Sequence, residues 1–532
     1  MNMKTIYKFV SVAALATLFL NSCIKETFPM SSTATTEQVG ASASALEASV
    51  NGIPAQMSQG YLIYGNQTYE NDMAYPLFLI TFAEMTGEMY AVGDAGYDHY
   101  QSASTCLNYG PTDTRQTYVP WRTLYMFVKS ANDVIGAIND ETASNAQLAY
   151  KGMAYAYRAF SYFMLTSMYE PAENIYTDVS KVQGLAVPIV TEKTTEDEAK
   201  NNPRAKHDDM IKFILEDLDN AEKFLTGASV SSKMFPSLAV AYGIRAKVLM
   251  LDGKYAEAES YARKAIEASG CRPLTQDEWE NPTSGFNTAN SAWMWYTTYS
   301  AENMGNLCNF TGWMSAEADW GYASLTIPGI DKALYDRIPD TDFRKHSWVD
   351  PAKMDYYKYK TVRDEEWFDA IPDYTSLKFR CVSGDFETYS VGGVCDVPMM
   401  RVEEMYYIEA EAKAQQNLAD GVKALNDFVQ TYRQPDYNFS ASSFEQFADE
   451  YVFQKKIEFW GEGISFHDIK RLKTGVYQFY EGTNAPGTNF YLNCEGIKPN
   501  MNFCIPTSEI ENNKALDGFN NPNPSGTVEK QG

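Results

Sequence analysis

Few residues in this chain have the type and spacing that bond chemistry requires. Its four histidines, His99, His207, His346 and His467, lie far apart. No HExxH segment and no Cys/His cluster accompanies them, so metal-ligand spacing is absent. There is no GxSxG elbow and no phosphate-cradling Walker loop. The 69 Asp and Glu residues offer many carboxylate pairs. The sequence singles out no pair whose surroundings would split its two pKa values, as glycoside hydrolysis needs. The sequence predicts no catalytic residue, no metal and no cofactor, and a protein that is not an enzyme.

What stands out is aromatic. Trp, Tyr and Phe make up 14% of the chain, with 37 Tyr and 9 Trp. Four Trp fall between Trp293 and Trp320, interleaved with Asn303, Asn306, Asn309, Glu317 and Asp319. A sugar ring has an apolar C–H face and a rim of hydroxyls. Aromatic faces suit the first, and amides and carboxylates suit the second. The alternation of Trp293 and Trp295 predicts a strand with both rings in the core. Trp313, Trp320 and Tyr322, set among Gly312 and Gly321, are expected to be exposed ligand contacts, together with Tyr296. A second patch holds Tyr90, Tyr97, Tyr100 and Tyr109, spaced by Asp94, Asp98, His99, Gln101 and Asn108; Tyr97 and Tyr100 are its expected contacts. Tyr356-Tyr357-Lys358-Tyr359 reads as a strand edge blunted by lysine.

The elements that must position these residues are mainly helical. Between Pro236 and Ser269, Tyr242, Ala246, Leu249, Gly253, Ala258, Ala262 and Ala265 fall at the spacing of a tetratricopeptide repeat. One such repeat cannot bury its face alone, so neighbours are expected. Helical periodicity supplies them at Tyr118–Asn139, Leu148–Tyr169, Asp208–Leu225, Val402–Gln416, Gly421–Tyr432 and Ser443–Trp460. Residues 272–330 and 338–398 are rich in Gly, Pro, Asn, Asp and aromatics, too long for ordinary loops. The expected fold is mainly α: a tetratricopeptide-like helical-repeat scaffold at 115–270 and 400–470, carrying a large irregular, loop-rich subdomain at 272–398.

The N-terminus carries Lys4 and Lys8, then an apolar run from Phe9 to Leu20. That run is shorter than the ~20 residues a membrane span needs, and a basic start before it marks a signal peptide. Leu20-Asn21-Ser22-Cys23 resembles a bacterial lipoprotein signal, making Cys23 the expected lipidation site after removal of 1–22. Residues 23–45 read as a flexible tether and 46–532 as one domain. Removing Cys23 leaves seven cysteines without a CxxC spacing. Cys381–Cys395 and Cys494–Cys504 are nearest in sequence as bridges, and buried free thiols are the alternative. With 44 Lys and Arg against 69 acidic residues the formal charge is −25, which argues against nucleic acid as a partner.

Several segments together resemble the SusD/RagB family of outer-membrane nutrient-binding lipoproteins. The most specific is Arg401-Val402-Glu403-Glu404-Met405-Tyr406-Tyr407-Ile408-Glu409-Ala410-Glu411-Ala412, followed by Ala424-Leu425-Asn426. Next come Gln454-Lys455-Lys456-Ile457-Glu458-Phe459-Trp460-Gly461-Glu462-Gly463 and His467-Asp468-Ile469-Lys470-Arg471. Ile505-Pro506-Thr507-Ser508-Glu509-Ile510 fits the family's closing segment, and Trp121-Arg122-Thr123-Leu124-Tyr125 its first helices. Glu458 and Glu462 are expected to pair with Arg401, Lys470 and Arg471 in a packed core. The resemblance implies a lipid-anchored protein of the outer membrane, facing the cell surface. It would bind an oligosaccharide on converging early and central loops and pass it to a SusC-like TonB-dependent transporter. A peptide ligand, as in the RagB-like branch, is one alternative; a surface enzyme acting on glycans is another.

Overall fold

The computed structural model describes residues 42–58, 75–94, 102–301, 309–353, 361–485 and 493–528. Its helices follow the periodicity of the sequence. α1 (Ala43–Met57) is capped by Ser42, whose hydroxyl accepts from Ala45 N. It begins inside the stretch expected to be a tether, because that cap and the buried Leu46, Val50 and Ile53 hold it to the core. α2 (Tyr75–Met85) is buried on every side, a core helix too short to span a membrane. It has no amphipathic period and no helix was expected there.

α3 (Arg115–Ala137), α4 (Asn145–Tyr169), α5 (His207–Leu225), α6 (Leu238–Leu251) and α7 (Tyr255–Ser269) pack in succession. Ser144 and Gln147 form a capping box at the start of α4. The α6–α7 pair is the expected repeat unit. Gly253 turns between its helices at φ +70°, and the buried Ala258, Ala262 and Ala265 keep α7 slim enough for helices on both sides. The chain then leaves the stack and returns as α8 (Val402–Gln416), which packs directly on α7. α9 (Leu418–Tyr432), α10 (Phe444–Glu458) and α11 (Ser465–Leu472) complete the scaffold.

The excursion between α7 and α8 is the expected inserted subdomain. Its neck is an antiparallel ladder of β2 (Trp293–Thr298) and β4 (Asp396–Arg401), which runs straight into α8. Trp293 and Trp295 on β2 are fully buried, as their alternation predicted. A second ladder joins β1 (Met89–Asp94) to β3 (Thr326–Ile330), with Met89 opposite Ile330 and Asp94 opposite Thr326. The early loop and the insertion thus share one sheet.

A charged network lies beneath the aromatic core. Arg401 donates to Glu462 at 2.9 Å and to Glu458 at 3.2 Å. Arg433 reaches Glu458 at 2.7 and 2.8 Å, and Arg344 reaches it at 3.1 Å. All of these groups are buried. The expected roles of Lys470 and Arg471 are corrected. Lys470 instead donates to the backbone oxygens of Ser167, Met168, Glu170 and Met501. Those of Ser167 and Met168 lie in the last turn of α4, where carbonyls lack partners within the helix and a cation is favoured. Arg471 pairs with Glu411 and Asp468. Sequence spacing could not distinguish these targets, because the carbonyls that Lys470 meets and the Glu411 that Arg471 meets lie on elements far away in the chain.

The six described cysteines carry free thiols, five of them buried. Cys494 packs against Cys106, while the Cys504 thiol donates to Asn521 O. Burial pushes the Cys106, Cys381, Cys395 and Cys504 thiols up to about 12.

Glu88 offers a measurable consequence of burial. Desolvation raises its carboxyl to about 7, and Gly461 N donates to it at 3.2 Å. The unfolded chain releases this proton near 4.5, whereas the native state keeps it to about 7. Between those values the native state binds more protons, so its stability falls as pH rises. Glu88→Gln is therefore expected to remove that slope and to stabilise the protein at pH 8 relative to the parent. Urea unfolding at pH 5 and pH 8 checks this; an unchanged slope in the variant contradicts it.

Candidate functional site: an aromatic surface on the inserted subdomain

The surface around Trp320 is built on a close backbone contact. A Cβ on Gly321 would lie 2.3 Å from Gly312 O and 2.4 Å from Gly312 Cα. Two glycines thus let the 320–322 segment cross directly over the short helix Phe310–Met314. That crossing stacks Tyr322 on Trp313, with ring centroids 4.7 Å apart and planes 19° off parallel. The expected exposure of Trp313 is corrected: it is 4% exposed because Tyr322 lies over it. The glycines that suggested an open loop serve close packing instead. Tyr322 and Trp320 are half-buried, and Trp320 Nε1 has no hydrogen-bond partner among the described residues.

Beside Trp320 a charged and aromatic cluster continues the surface. Asp319 N donates to Phe386 O at 2.9 Å, and its carboxylate accepts from Arg363. The Arg363 guanidinium also donates to Glu317 O at 2.8 Å. It lies 4.2 Å from the Phe386 ring centroid and 5.4 Å from that of Trp367. Glu317 is buried, held by Arg380 at 2.8 Å. Leu325, Tyr389 and Val391 are more than two-fifths exposed. Apolar rings and hydrogen-bonding charges therefore alternate over one region.

The other expected contacts fall elsewhere. Tyr296 is half-buried on β2, where its N–H donates to Lys233 O. Tyr97, Tyr100 and the Tyr356–Tyr359 run lie outside the described residues. Tyr90 and Tyr109 are core residues. Tyr90 donates to Asp331 at 2.8 Å and to Gln478 O at 3.2 Å. Strand β1 ends at Asp94, opposite Thr326, which lies three residues after Ala323 of the Trp320 segment.

Tyr477 and Phe479, absent from the expected contacts, are 59% and 37% exposed. They flank the buried Gln478 whose carbonyl bonds Tyr90. The alternation Tyr477-Gln478-Phe479 gives no signal for this, since it predicts the two rings inward and the amide outward. A separate groove of about 480 Å³ runs along α3. Its aromatic faces are engaged already: Trp121 packs edge-on against Tyr169, and the Tyr125 hydroxyl is tied to Pro188 O. Among the described residues no three His, Cys, Asp or Glu side chains gather as a metal site requires.

Two family profiles match this sequence. One, described as starch-binding associating with outer membrane, covers residues 56–250; the other, described as the SusD family, covers 354–523. The chain belongs to the SusD/RagB family. Solved structures agree on the fold of this SusD-like chain. A SusD-like carbohydrate binding protein of Bacteroides vulgatus superposes with a TM-score of 0.69 at 20% identity, over 89% of this chain and 96% of that one. Surface glycan-binding protein A of Bacteroides thetaiotaomicron, in complex with laminarihexaose, gives 0.62 at 15% identity, over 90% and 99%. SusD-like protein P38 of Formosa agariphila is 32% identical over 160 residues, which span 30% of this chain and 28% of that relative. Among the described residues no helix is long and apolar enough to cross a membrane.

Proposed function

We propose that this SusD-like chain is a surface lipoprotein that captures an oligosaccharide beside Trp320. It would hand the glycan to a partner TonB-dependent transporter of the outer membrane, making and breaking no bond. Cys23 would carry the lipid that holds it there; two or more acyl chains suffice for durable anchoring.

The observation that carries this reading is the half-buried Trp320 set between a rigid Trp313–Tyr322 stack and the Asp319–Arg363 pair. A sugar face would lie on the rings while its hydroxyls meet the charged rim. The SusD-like neighbour holding laminarihexaose supports a glycan as the ligand class. The stack of helices α3–α9 provides the face for the transporter.

Affinity electrophoresis in gels of laminarin, starch and xylan tests the ligand. Retardation in at least one gel is expected, and Trp320→Ala is expected to weaken that binding about tenfold, or ~1.4 kcal/mol. Unchanged retardation in the variant would remove the site. Release of shorter sugars from the polysaccharide would make the protein an enzyme, and binding of peptides alone would give the RagB-like alternative. Co-purification with a barrel transporter from membranes tests the delivery step.

A further inference from the structure

Cys106 and Cys494 come from distant parts of the chain and form a small apolar cluster of their own, with Tyr176 and Val528 packed against it. A cysteine side chain is one methylene and one sulfur, so this packing is contact between the two Cβ–Sγ groups. Apolar contact means heavy atoms within about 4.5 Å, and the Cβ atoms of a disulfide lie ~3.5–4.5 Å apart. The other described cysteines have different neighbours. The Cys381 sulfur lies 3.6 Å from Ser315 Oγ, and that of Cys271 lies 3.5 Å from Trp293 O. Cys395 packs in the main core, and Cys504 donates to Asn521 O at 3.5 Å. The pairs nearest in sequence, Cys381–Cys395 and Cys494–Cys504, therefore share no cluster, whereas Cys106 and Cys494 do.

Backbone geometry holds each of the two in place. Cys106 follows the short helix Ser102–Thr105 with φ +57°, a left-handed conformation that a residue with a side chain takes only where its surroundings hold it. Asn500 Nδ2 donates to Ala103 O at 2.8 Å, and Ser525 Oγ donates to Cys106 O at 3.4 Å. Cys494 faces Val476 through reciprocal N–H···O bonds of 2.8 and 2.9 Å. The fold therefore returns the two thiols to the same contact whenever it forms. Burial pushes the Cys106 thiol up to about 12 and raises that of Cys494 as well. The thiolate is the attacking form, so exchange at these sulfurs is slow once the cluster has closed. It belongs to the folding chain, before burial is complete.

We propose that Cys106 and Cys494 are joined as a disulfide in the exported protein, a covalent staple between the early segment and the C-terminal part of the chain. The inference rests on the export that the signal peptide and Cys23 supply in the proposed function, because a secreted chain meets an oxidising compartment. The oxidant is the disulfide of a thiol–disulfide exchange partner, such as an exported oxidoreductase. As the chain folds, one cysteine thiolate attacks a partner sulfur, forming a mixed disulfide and releasing one partner thiolate. The second cysteine thiolate then displaces the remaining partner sulfur and closes the bridge. Two protons leave the protein thiols, and the partner disulfide takes up the two electrons and becomes a dithiol. Burial then shields the bond from reductants, and the long loop it closes restricts the unfolded chain.

The test uses the full chain, expressed with its own signal, purified from membranes, alkylated with iodoacetamide under denaturing conditions without reductant, and digested. A peptide containing Cys106 joined to one containing Cys494 is expected as the main form. Alkylation of both as free thiols overturns the bridge, as does either residue joined to another cysteine. The mass of the N-terminal peptide, with or without lipid on Cys23, reports export separately, and gel retardation reports the glycan site separately. The same protein, reduced, unfolded and refolded in glutathione disulfide, should regain the Cys106–Cys494 link wherever it resides in the cell; a refolded chain without that link overturns the pairing. Urea unfolding supplies a second readout. Reductant should lower the parent's midpoint by about 0.5 M and leave the midpoints of Cys106→Ser and Cys494→Ser unchanged. A parent midpoint that does not respond to reductant overturns the bridge. Should either variant fail to fold, the peptide map of the parent decides.

Discussion

Replacing Glu458 with Ala is expected to cost the protein about 3–5 kcal/mol, the range seen when one partner of a buried ion pair is removed. Its carboxylate accepts from Arg433 at 2.7 and 2.8 Å, from Arg344 at 3.1 Å and from Arg401 at 3.2 Å. None of these groups reaches water. Without Glu458 the three guanidiniums and the buried Lys378 ammonium would share Glu403, Glu462 and Asp342, leaving net positive charge in a water-free space. Typical total stabilities are only about 5–15 kcal/mol, so the variant should sit near its unfolding threshold. Glu458→Gln keeps the shape and loses the charge, and should be nearly as damaging at neutral pH. The pH dependence supplies a second readout. The arginines hold the Glu458 carboxyl well below the usual carboxylate range. Its contribution is therefore complete above the unfolded-state value near 4.5 and declines as pH falls through the lower native value. The stability gap between parent and Glu458→Gln should thus narrow in strong acid. Urea unfolding from pH 7 to pH 3 measures it, and a gap of under 1 kcal/mol at pH 7 would show that the network is not what holds α8, α10 and the insertion together.

The second large effect is expected at Gly321, through the backbone rather than through charge. Gly321→Ala places a methyl 2.3 Å from the Gly312 carbonyl oxygen, a contact that only a backbone shift can relieve. Overpacking of this kind costs about 1–3 kcal/mol. The shift must also move Tyr322 off Trp313, because both lie on the two segments that cross. The variant should therefore lose near-ultraviolet circular dichroism from the stacked pair and most of its retardation in polysaccharide gels. Trp320→Ala, by contrast, should lose retardation and keep the Trp313–Tyr322 signature. If Gly321→Ala retains the parent's spectrum and stability, the two segments do not meet as described.

The distinction between these variants marks how far the sequence could be read. Helices α3, α5 and α9 were legible because each buries one stripe, and a 3.6-residue period shows in the order of residues alone. The α6–α7 unit was legible down to Gly253 and its small alanines, since those residues meet requirements set within thirty residues of chain. Helix α2 was missed for the complementary reason. A helix buried on all sides has no stripe, and its apolar run has no period to detect.

At the aromatic surface the sequence by itself determined which residue types gather in 293–322, and that Trp293 and Trp295 point into the core. Only the tertiary structure decided which of the remaining rings meet solvent. Gly312 and Gly321 suggested an open loop, yet their lack of side chains serves contact between two backbones, and that contact buries Trp313 under Tyr322. The same holds for the charges. Glu458, Glu462 and Arg401 could be expected to pair, but Arg344, Arg433 and Lys378 enter the network from segments 25 to 114 residues distant. Burial and ion pairing depend on distances in space, and local patterning carries distance only within an element. What crosses between elements, including which rings remain free for a ligand, is settled by packing.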